Sequence, residues 1–358
     1  MKSADIKADM KRGMKKYPAP LKLVLPATSA NLGPAFDSAA LALRLHLNIH
    51  AVVSPEFSIA ATGRDREICG KLERNLVLET YKDVLQAEGK TPLALALKVN
   101  NRMPIGKGTG SSAAARLAGI ALAVHFGDLI WPAERIMEEA AKREGHADNV
   151  AACWLGGFAV SQWQKPQSHS QNGGPQSAAR DQSLYAYKVA IKKSWPLLLV
   201  VPQEALPTEE SRRVLPADFS RFQAVANIQS AMLLAAAFAQ GRDELLAYAV
   251  QDELHQPYRA SLCPLLPELR ELSGTKGILG VVLSGAGPSV LLLLSPTVSM
   301  RQIMQLVGAH LKDRGHQAEL IPTEIEKHGA GEVFSVPKNS IVRARKRKIL
   351  RAKKRRSE

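Results

Sequence analysis

The chain has little cysteine: Cys69, Cys153 and Cys263 are the only three in 358 residues, too few and too widely spaced for a disulfide framework or a zinc ribbon. Aromatics are scarce at 5 %, so a core has to be assembled mainly from Leu, Ala, Val and Ile. Long apolar runs are missing too. The stretch from Trp195 to Pro202 has the length of an interior strand and falls far short of a membrane span. The N-terminus is polar and mixed in charge, without the apolar segment of a secretion signal. These absences predict a protein of a reducing compartment, the cytoplasm. Apolar material is nevertheless ample, with 46 % hydrophobic and 23 % charged residues, which excludes disorder as the dominant state. The length predicts about two domains.

The formal charge of +15 is unevenly placed. Residues 341–358 carry ten Lys/Arg against one Glu, and residues 1–16 carry six Lys/Arg against two Asp, which leaves about +2 for the body. A basic run of this kind repels itself, so 1–17 is expected to be a flexible extension and 339–358 a disordered tail. Weak contact with nucleic acid or an anionic surface is one use of such a tail, and a solvated tail without a partner is the other. No aromatics are interleaved with it, which argues against stacking on bases.

Along the body, Leu21–Leu25 reads as a strand and 41–53 as either helix or strand. The alternation from Leu93 predicts a strand over 93–99. Residues 112–126 are Ala/Leu-rich and predict a long helix, and 131–144 predict another with Pro132 at its first turn. The polar Pro/Gly/Ser/Gln-rich stretch 164–183 reads as a flexible surface excursion. Beyond it come a buried strand at 196–201, helices near 209–213 and 219–240, and a strand–glycine loop–strand unit at 278–295. Strands alternating with helices give an α/β or α+β chain.

The most informative stretch is Pro104-Ile105-Gly106-Lys107-Gly108-Thr109-Gly110-Ser111-Ser112-Ala113-Ala114. Three glycines at alternate positions let successive backbone N–H groups turn inward as an anion nest. The helix that follows adds unsatisfied N–H donors and a positive dipole end. Ser111 and Ser112 add hydroxyls for capping, phosphate or Mg2+. A Walker loop is excluded because Gly108, not Ser or Thr, follows Lys107. A dinucleotide fingerprint is excluded because position 111 is Ser. A tight capped turn is the plain alternative. Two further loops weigh against it: Pro26 to Asp37, with Asn31, Gly33 and Asp37, and Leu283 to Ser289, with Gly285 and Gly287.

These three segments, in this order, resemble the three signature motifs of the GHMP small-molecule kinases. The finer pattern is similar to the homoserine kinase branch of that family. Glu144-Gly-His-Ala-Asp-Asn-Val-Ala151, Leu155-Gly-Gly-Phe158, Thr208 to Pro216 and His255-Gln-Pro-Tyr-Arg259 match that branch's pieces, and the resemblance spans roughly residues 20–335.

The resemblance implies an α+β fold of two domains: an N-terminal α/β nucleotide-binding domain over 18–195 and a C-terminal ferredoxin-like domain over 196–338. It implies ATP on the 104–114 loop, Mg2+ shared by Ser112 and Glu144, L-homoserine held by Asn31, Asp37, Asn149, Thr208, Arg212 and Arg259, and Asn149, Asp148 and Arg259 as the catalytic residues. Within that set the two guanidinium forks suit a carboxylate, and Asp37 suits an ammonium. Asn149 is expected to orient the reacting hydroxyl. Asp148 is left as either base or structural acceptor, since these kinases work without a strong base. His146 reads as a hydrogen-bonded structural residue. The chain departs from the pattern at Ala35, Thr109 and Ser211, which bears on substrate affinity more than on chemistry. The competing functions are another GHMP kinase of mevalonate or shikimate type, and a non-catalytic binding protein with a polyanion-binding tail. Dimers are common among similar enzymes, so a homodimer belongs to the expectation.

Overall fold

The computed structural model describes residues 17–164 and 183–334. The two basic ends and most of the 164–183 excursion lie outside the described residues, and so do the expectations placed on them. The chain opens with strands β1 (Leu21–Asn31), β2 (Ala35–Val53) and β3 (Ser58–Gly63). Helix α1 (Leu76–Ala87) and strand β4 (Leu95–Asn101) follow, then helices α2 (Ser111–Phe126), α3 (Ala133–Glu144) and α4 (Asp148–Leu155). Strands β5 (Phe158–Gln164), β6 (Ser183–Val189) and β7 (Pro196–Pro202) come next, with helices α5 (Thr208–Arg213), α6 (Arg221–Gln240), α7 (Gln256–Arg259) and α8 (Leu265–Arg270) after them. The last elements used below are β8 (Ile278–Leu283), β9 (Val290–Leu294), helix α9 (Met300–Asp313) and β10 (Ala318–Glu324).

Segment 41–53, open to either structure by sequence, is strand. Leu47, Ile49, Ala51 and Val53 are buried while His46, Asn48 and His50 between them are partly exposed, the period of two that a half-buried strand requires. The strand expected at 93–99 begins at Leu95 and runs to Asn101.

Six strands make the first sheet, in the order β3-β4-β2-β5-β6 with β1 paired to β2. The 19-residue β2 organises it: β1 runs antiparallel along it, β4 pairs with its second half and β5 with Ala39–Leu41. The second sheet is antiparallel, in the order β10-β7-β9-β8. Strand β7 explains its own unbroken apolar sequence. Leu197, Leu199 and Val201 face the main core, while Leu198 and Val200 face the core under α8 and α9, so neither side meets water. The two sheets also touch directly, through a Leu43–Ile325 bridge and a bond from the Glu326 N–H to the Ala42 carbonyl.

Helix α2 is buried nearly all round from Ala113 to Phe126, which anchors its accessible N-terminus at Ser111 and Ser112 as a fixed point. Helix α6 is the opposite case. It is apolar on both faces, and among the described residues it is the one helix long and apolar enough to cross a membrane. Yet Phe222, Val225, Ile228 and Met232 on its outer stripe are exposed. Its inner face is tied down by Asn227, which donates to the Pro34 carbonyl at 2.7 Å and accepts from the Glu253 N–H at 3.2 Å.

Candidate functional site

A cleft of about 390 Å³ lies between the two sheets. Its floor is the 104–114 loop. Gly106, Gly108 and Gly110 have φ of 70°, 77° and 64°, the left-handed region that glycine enters without strain. Among the described residues, the backbone N–H groups of these three glycines have no protein acceptor. The loop is held from behind. Thr109 Oγ1 donates to the Pro104 carbonyl at 2.7 Å, the Ile105 N–H reaches Asp65 at 3.0 Å, and the Thr28 N–H reaches the Thr109 carbonyl at 3.0 Å. The Leu283–Ser289 loop packs against it, with Ser284 Oγ donating to the Gly108 carbonyl at 2.8 Å. The approach is so close that a Cβ on Gly108 would stand 2.1 Å from the Ser284 carbonyl oxygen. Helix α2 starts at Ser111, so its free N–H donors and dipole point into the cleft.

The structure does not bring the whole loop to the cleft. Ile105, Gly106, Gly108, Thr109, Gly110, Ser111 and Ser112 line it. Ala113 and Ala114 are buried beneath it. Pro104 and Lys107 line a neighbouring surface hollow, and the Lys107 ammonium bonds the Gln203 carbonyl instead. Burial lowers the Lys107 pKa, against the pull of Glu204 and Asp65.

Beside the loop, Ser112 donates to Glu144, whose other oxygen takes Arg116 Nε at 2.8 Å. The far wall is apolar, with Cys69, Val77, Leu97, Val99 and Met103, a slot suited to a flat ring system. The sequence displays these residues only as inward-facing positions of a strand and its neighbours, so their part in the cleft goes unread there.

The opposite end is charged. Asp37 and Arg212 form a two-pronged ion pair at 2.8 and 3.0 Å. Arg259, 1 % exposed, lies beside them. Phe36 serves both guanidinium groups, whose central carbons stand 5.7 Å (Arg212) and 5.4 Å (Arg259) from its ring centre, within cation–π range. Burial and the charge of Arg212 push the Arg259 pKa down to about 10, which leaves it cationic at neutral pH. Asn31 staples this end together, accepting from the Asp37 N–H and donating to the Gly285 carbonyl, both at 2.9 Å. Thr208 opens α5 at the rim of the cleft.

Between the two ends sit Asp148 and Asn149. Asp148 Oδ1 accepts from His146 Nδ1 and from the Asn149 N–H, each at 2.7 Å. The ligand atoms of Asp37, His146 and Asp148 lie within 4.8 Å of one another. Burial works against a charged His146, but the hydrogen bond and charge of Asp148, with Glu144 and Asp37 behind, outweigh it and raise the pKa. Asn149 Oδ1 accepts from Thr28 Oγ1 at 2.6 Å, so the amide's N–H2 is left for the cleft. Thr28 was visible in the first loop but carried no role on sequence grounds. The hydrogen bond across 121 residues gives it one.

Comparison with known proteins decides the family. The family models for the GHMP kinases N terminal domain and the GHMP kinases C terminal region match residues 75–157 and 233–313. A homoserine kinase of Solibacter usitatus is 40 % identical over 309 residues, which cover 86 % of this chain and 95 % of that protein. The chain belongs to the homoserine kinase family. Another member, from Carboxydothermus hydrogenoformans, is 34 % identical over 87 % of this chain and 97 % of its own length. The crystal structure of homoserine kinase from Cytophaga hutchinsonii superposes with a TM-score of 0.69 at 22 % identity, covering 88 % of this chain and 98 % of that one; it speaks for the shared fold, the α+β GHMP arrangement.

In the homoserine kinase frame, six of the seven motif pieces line one cleft, while Leu155-Gly-Gly-Phe158 packs away from it, with the Gly157 N–H on the Glu326 carbonyl and Phe158 stacked on Phe238. His255 stood in one of them, His255-Gln-Pro-Tyr-Arg259, yet only Arg259 was singled out. The histidine is fully buried, and both its ring nitrogens are engaged by parts of the site.

Proposed function

We propose that the chain transfers the terminal phosphoryl group of ATP to the side-chain hydroxyl of L-homoserine, giving O-phospho-L-homoserine and ADP in threonine biosynthesis. The observation that carries this reading is the meeting of Asp37, Arg212 and Arg259 around Phe36 in the same cleft as the glycine loop. One carboxylate and two guanidinium groups match the ammonium and carboxylate of a free amino acid. Asp37 and Arg212 pair with each other, and a zwitterion offers each of them a further partner of the right sign. A mevalonate- or shikimate-type substrate brings a carboxylate but nothing for Asp37.

In this reading the base of ATP occupies the slot of Leu97, Val99 and Met103, and the phosphates lie on the glycine amides and the α2 N-terminus. Mg2+ fits Ser112 and Glu144, since a hydroxyl and a carboxylate are the hard oxygen donors this ion takes and their mutual hydrogen bond brings both oxygens to one point. These two residues would hold it, and it would neutralise phosphate charge. The chain's own part is alignment and electrostatics. Asn149 donates to the attacking oxygen and fixes its direction. The oxygen–phosphorus bond forms as the bond to the leaving diphosphate breaks, and the hydroxyl proton passes to the transferred phosphate. Asp148 already accepts two hydrogen bonds, and its part is to hold His146 and Asn149 in place. We assign 18–195 and 196–338 as the two domains that close on this cleft. We place the reaction in the cytoplasm, where three free cysteines stay reduced.

The test is ADP release from full-length protein with Mg-ATP across L-homoserine, mevalonate and shikimate. Release that needs homoserine supports the reading, and a folded protein with no such release, or with a preference for mevalonate, removes it.

We also propose a homodimer through the outer stripe of α6. Phe222, Val225, Ile228 and Met232, at 80, 47, 62 and 68 % exposure, form an apolar stripe along one helix face that a second copy of the chain would cover. Sedimentation should show a dimer that Ile228→Glu with Met232→Glu separates into monomers, and a wild type that runs as a monomer contradicts it.

A further inference from the structure

We propose that His255 is a positioning residue that sets the guanidinium of Arg259 and the loop bearing Asp37 with one buried imidazole. The proposal deepens the homoserine kinase reading and rests on it.

The tautomer follows from the neighbours. His255 Nε2 lies 2.8 Å from the Gly33 carbonyl oxygen. A carbonyl only accepts, so Nε2 carries the proton. His255 Nδ1 lies 3.1 Å from Arg259 Nη1. A guanidinium only donates, so Nδ1 is bare. One neutral ring therefore grips two pieces that are 226 residues apart in sequence. Its face stacks on Phe36, ring centres 5.3 Å apart at 28°, and Phe36 is the residue before Asp37.

The effect on Arg259 is specific. Nε is taken by the Ser211 carbonyl at 3.0 Å and Nη1 by His255, with the Gly285 carbonyl at a longer 3.5 Å. Nη2 has no acceptor among the described residues, and it is the corner of the fork left for a ligand. Without the imidazole, the guanidinium can turn about its remaining bond and the fork loses its aim.

The surroundings keep the ring neutral. The charged groups that face it are Arg259 at 3.1 Å, Asp252 at 3.4 Å and, further off, Asp37. Asp252 already accepts from the N–H groups of Leu254, His255 and Gln256. Burial, helped by the charge of Arg259 and opposed by Asp252, pushes the His255 pKa down to about 4. A proton on Nδ1 would face a cation, so the ring works as an acceptor toward Arg259 throughout the neutral range.

Two substitutions separate the two grips. In His255→Asn the side-chain oxygen falls near the old Nδ1 and keeps the Arg259 bond. In His255→Gln the amide N–H falls near the old Nε2 and keeps the Gly33 bond. The readout is the preference for L-homoserine over 3-amino-1-propanol, which has the amine and the hydroxyl but no carboxylate. His255→Gln should lose about tenfold or more of that preference, the worth of one charge-assisted hydrogen bond, with half-saturating ATP unchanged. His255→Asn should keep it. A role confined to stability would move both substrates alike in both variants, and that outcome overturns the proposal. If a variant fails to fold, nitrogen-15 NMR of the wild type decides: His255 should show the neutral Nε2–H form from pH 5.5 to 8, and a ring that titrates near 6.5 or carries its proton on Nδ1 overturns it. Failure of the wild type to turn over homoserine would remove the kinase reading, while the NMR result would still judge the tautomer.

Discussion

Where the cleft is proposed to take phosphate it is lined with backbone, and where it is proposed to take the amino acid it is lined with side chains. The first is one short stretch: Gly106, Gly108, Gly110 and the start of α2 supply the donors, and loops behind them only hold the curve. The second is gathered from distant stretches. Asn31, Phe36 and Asp37 come from the β1–β2 region, Asn149 from α4, Arg212 from α5, Arg259 from α7 and Gly285 from the last loop. A backbone site depends on torsion angles and on empty space where a Cβ would be. A side-chain site depends on hydrogen-bond partners that fix each rotamer. The two ends should therefore fail in different ways.

The largest effect is expected from Gly108→Ala. The new Cβ would meet the Ser284 and Gly287 carbonyl oxygens at 2.1 and 2.8 Å, at a φ of 77°. Strain and clash together cost roughly 2–4 kcal/mol. The melting temperature should drop and kcat/KM for ATP should fall by about a hundredfold. A melt and ATP kinetics near wild type would break the claim that bare backbone makes the cradle.

Next comes Arg259→Ala, at the other end. It removes a buried fork and leaves the Ser211 carbonyl and His255 Nδ1 without their donor. Half-saturating homoserine should rise by roughly 30- to 100-fold, from a loss of about 2–3 kcal/mol, with ATP affinity within about twofold. Equal damage to both substrates would mean that the two ends are not separable.

Thr28→Val sharpens the boundary between them. It is nearly isosteric and deletes only the donor to Asn149, freeing the amide to flip. The turnover rate should fall by about tenfold while both half-saturation constants hold, as expected of a group that aims the hydroxyl. A change in KM alone would place Thr28 in binding instead.

The smallest effect is on acid stability. The folded-state pKa of His255 lies below the ordinary 6.5, at about 4, so protonation favours the unfolded chain. Its stabilisation is complete above pH 6.5 and is lost as pH falls toward 4. His146, with its pKa raised, has the opposite sign and loses its contribution as pH rises. Melting temperature between pH 7 and 4 should therefore fall more steeply in wild type than in His255→Asn, and parallel curves would show that the ring is not held neutral.

The same contrast explains what could be read from the residues alone. The nest was legible because its parts are adjacent: alternate glycines, then serines, then an alanine-rich helix. Strand β7 and helix α2 were legible for the same local reason. The charged end was legible only through a resemblance to a family pattern, because nothing in the vicinity of Asp37 points to Arg212, 175 residues away. That Asp37 and Arg212 hold each other, that Thr28 fixes Asn149 and that His255 holds Arg259 are properties of contact, and no spacing encodes them. The apolar slot was hidden for a different reason, since Leu97 and Val99 carry the alternation of an ordinary half-buried strand.

The most direct measurement is phosphorus NMR of the full-length protein with Mg-ATP and L-homoserine. A phosphomonoester signal coupled to the methylene protons next to the substrate oxygen should grow in step with ADP. Inorganic phosphate appearing in its place, or no consumption of ATP by a folded protein, would contradict a cleft built to join a nucleotide to an amino acid.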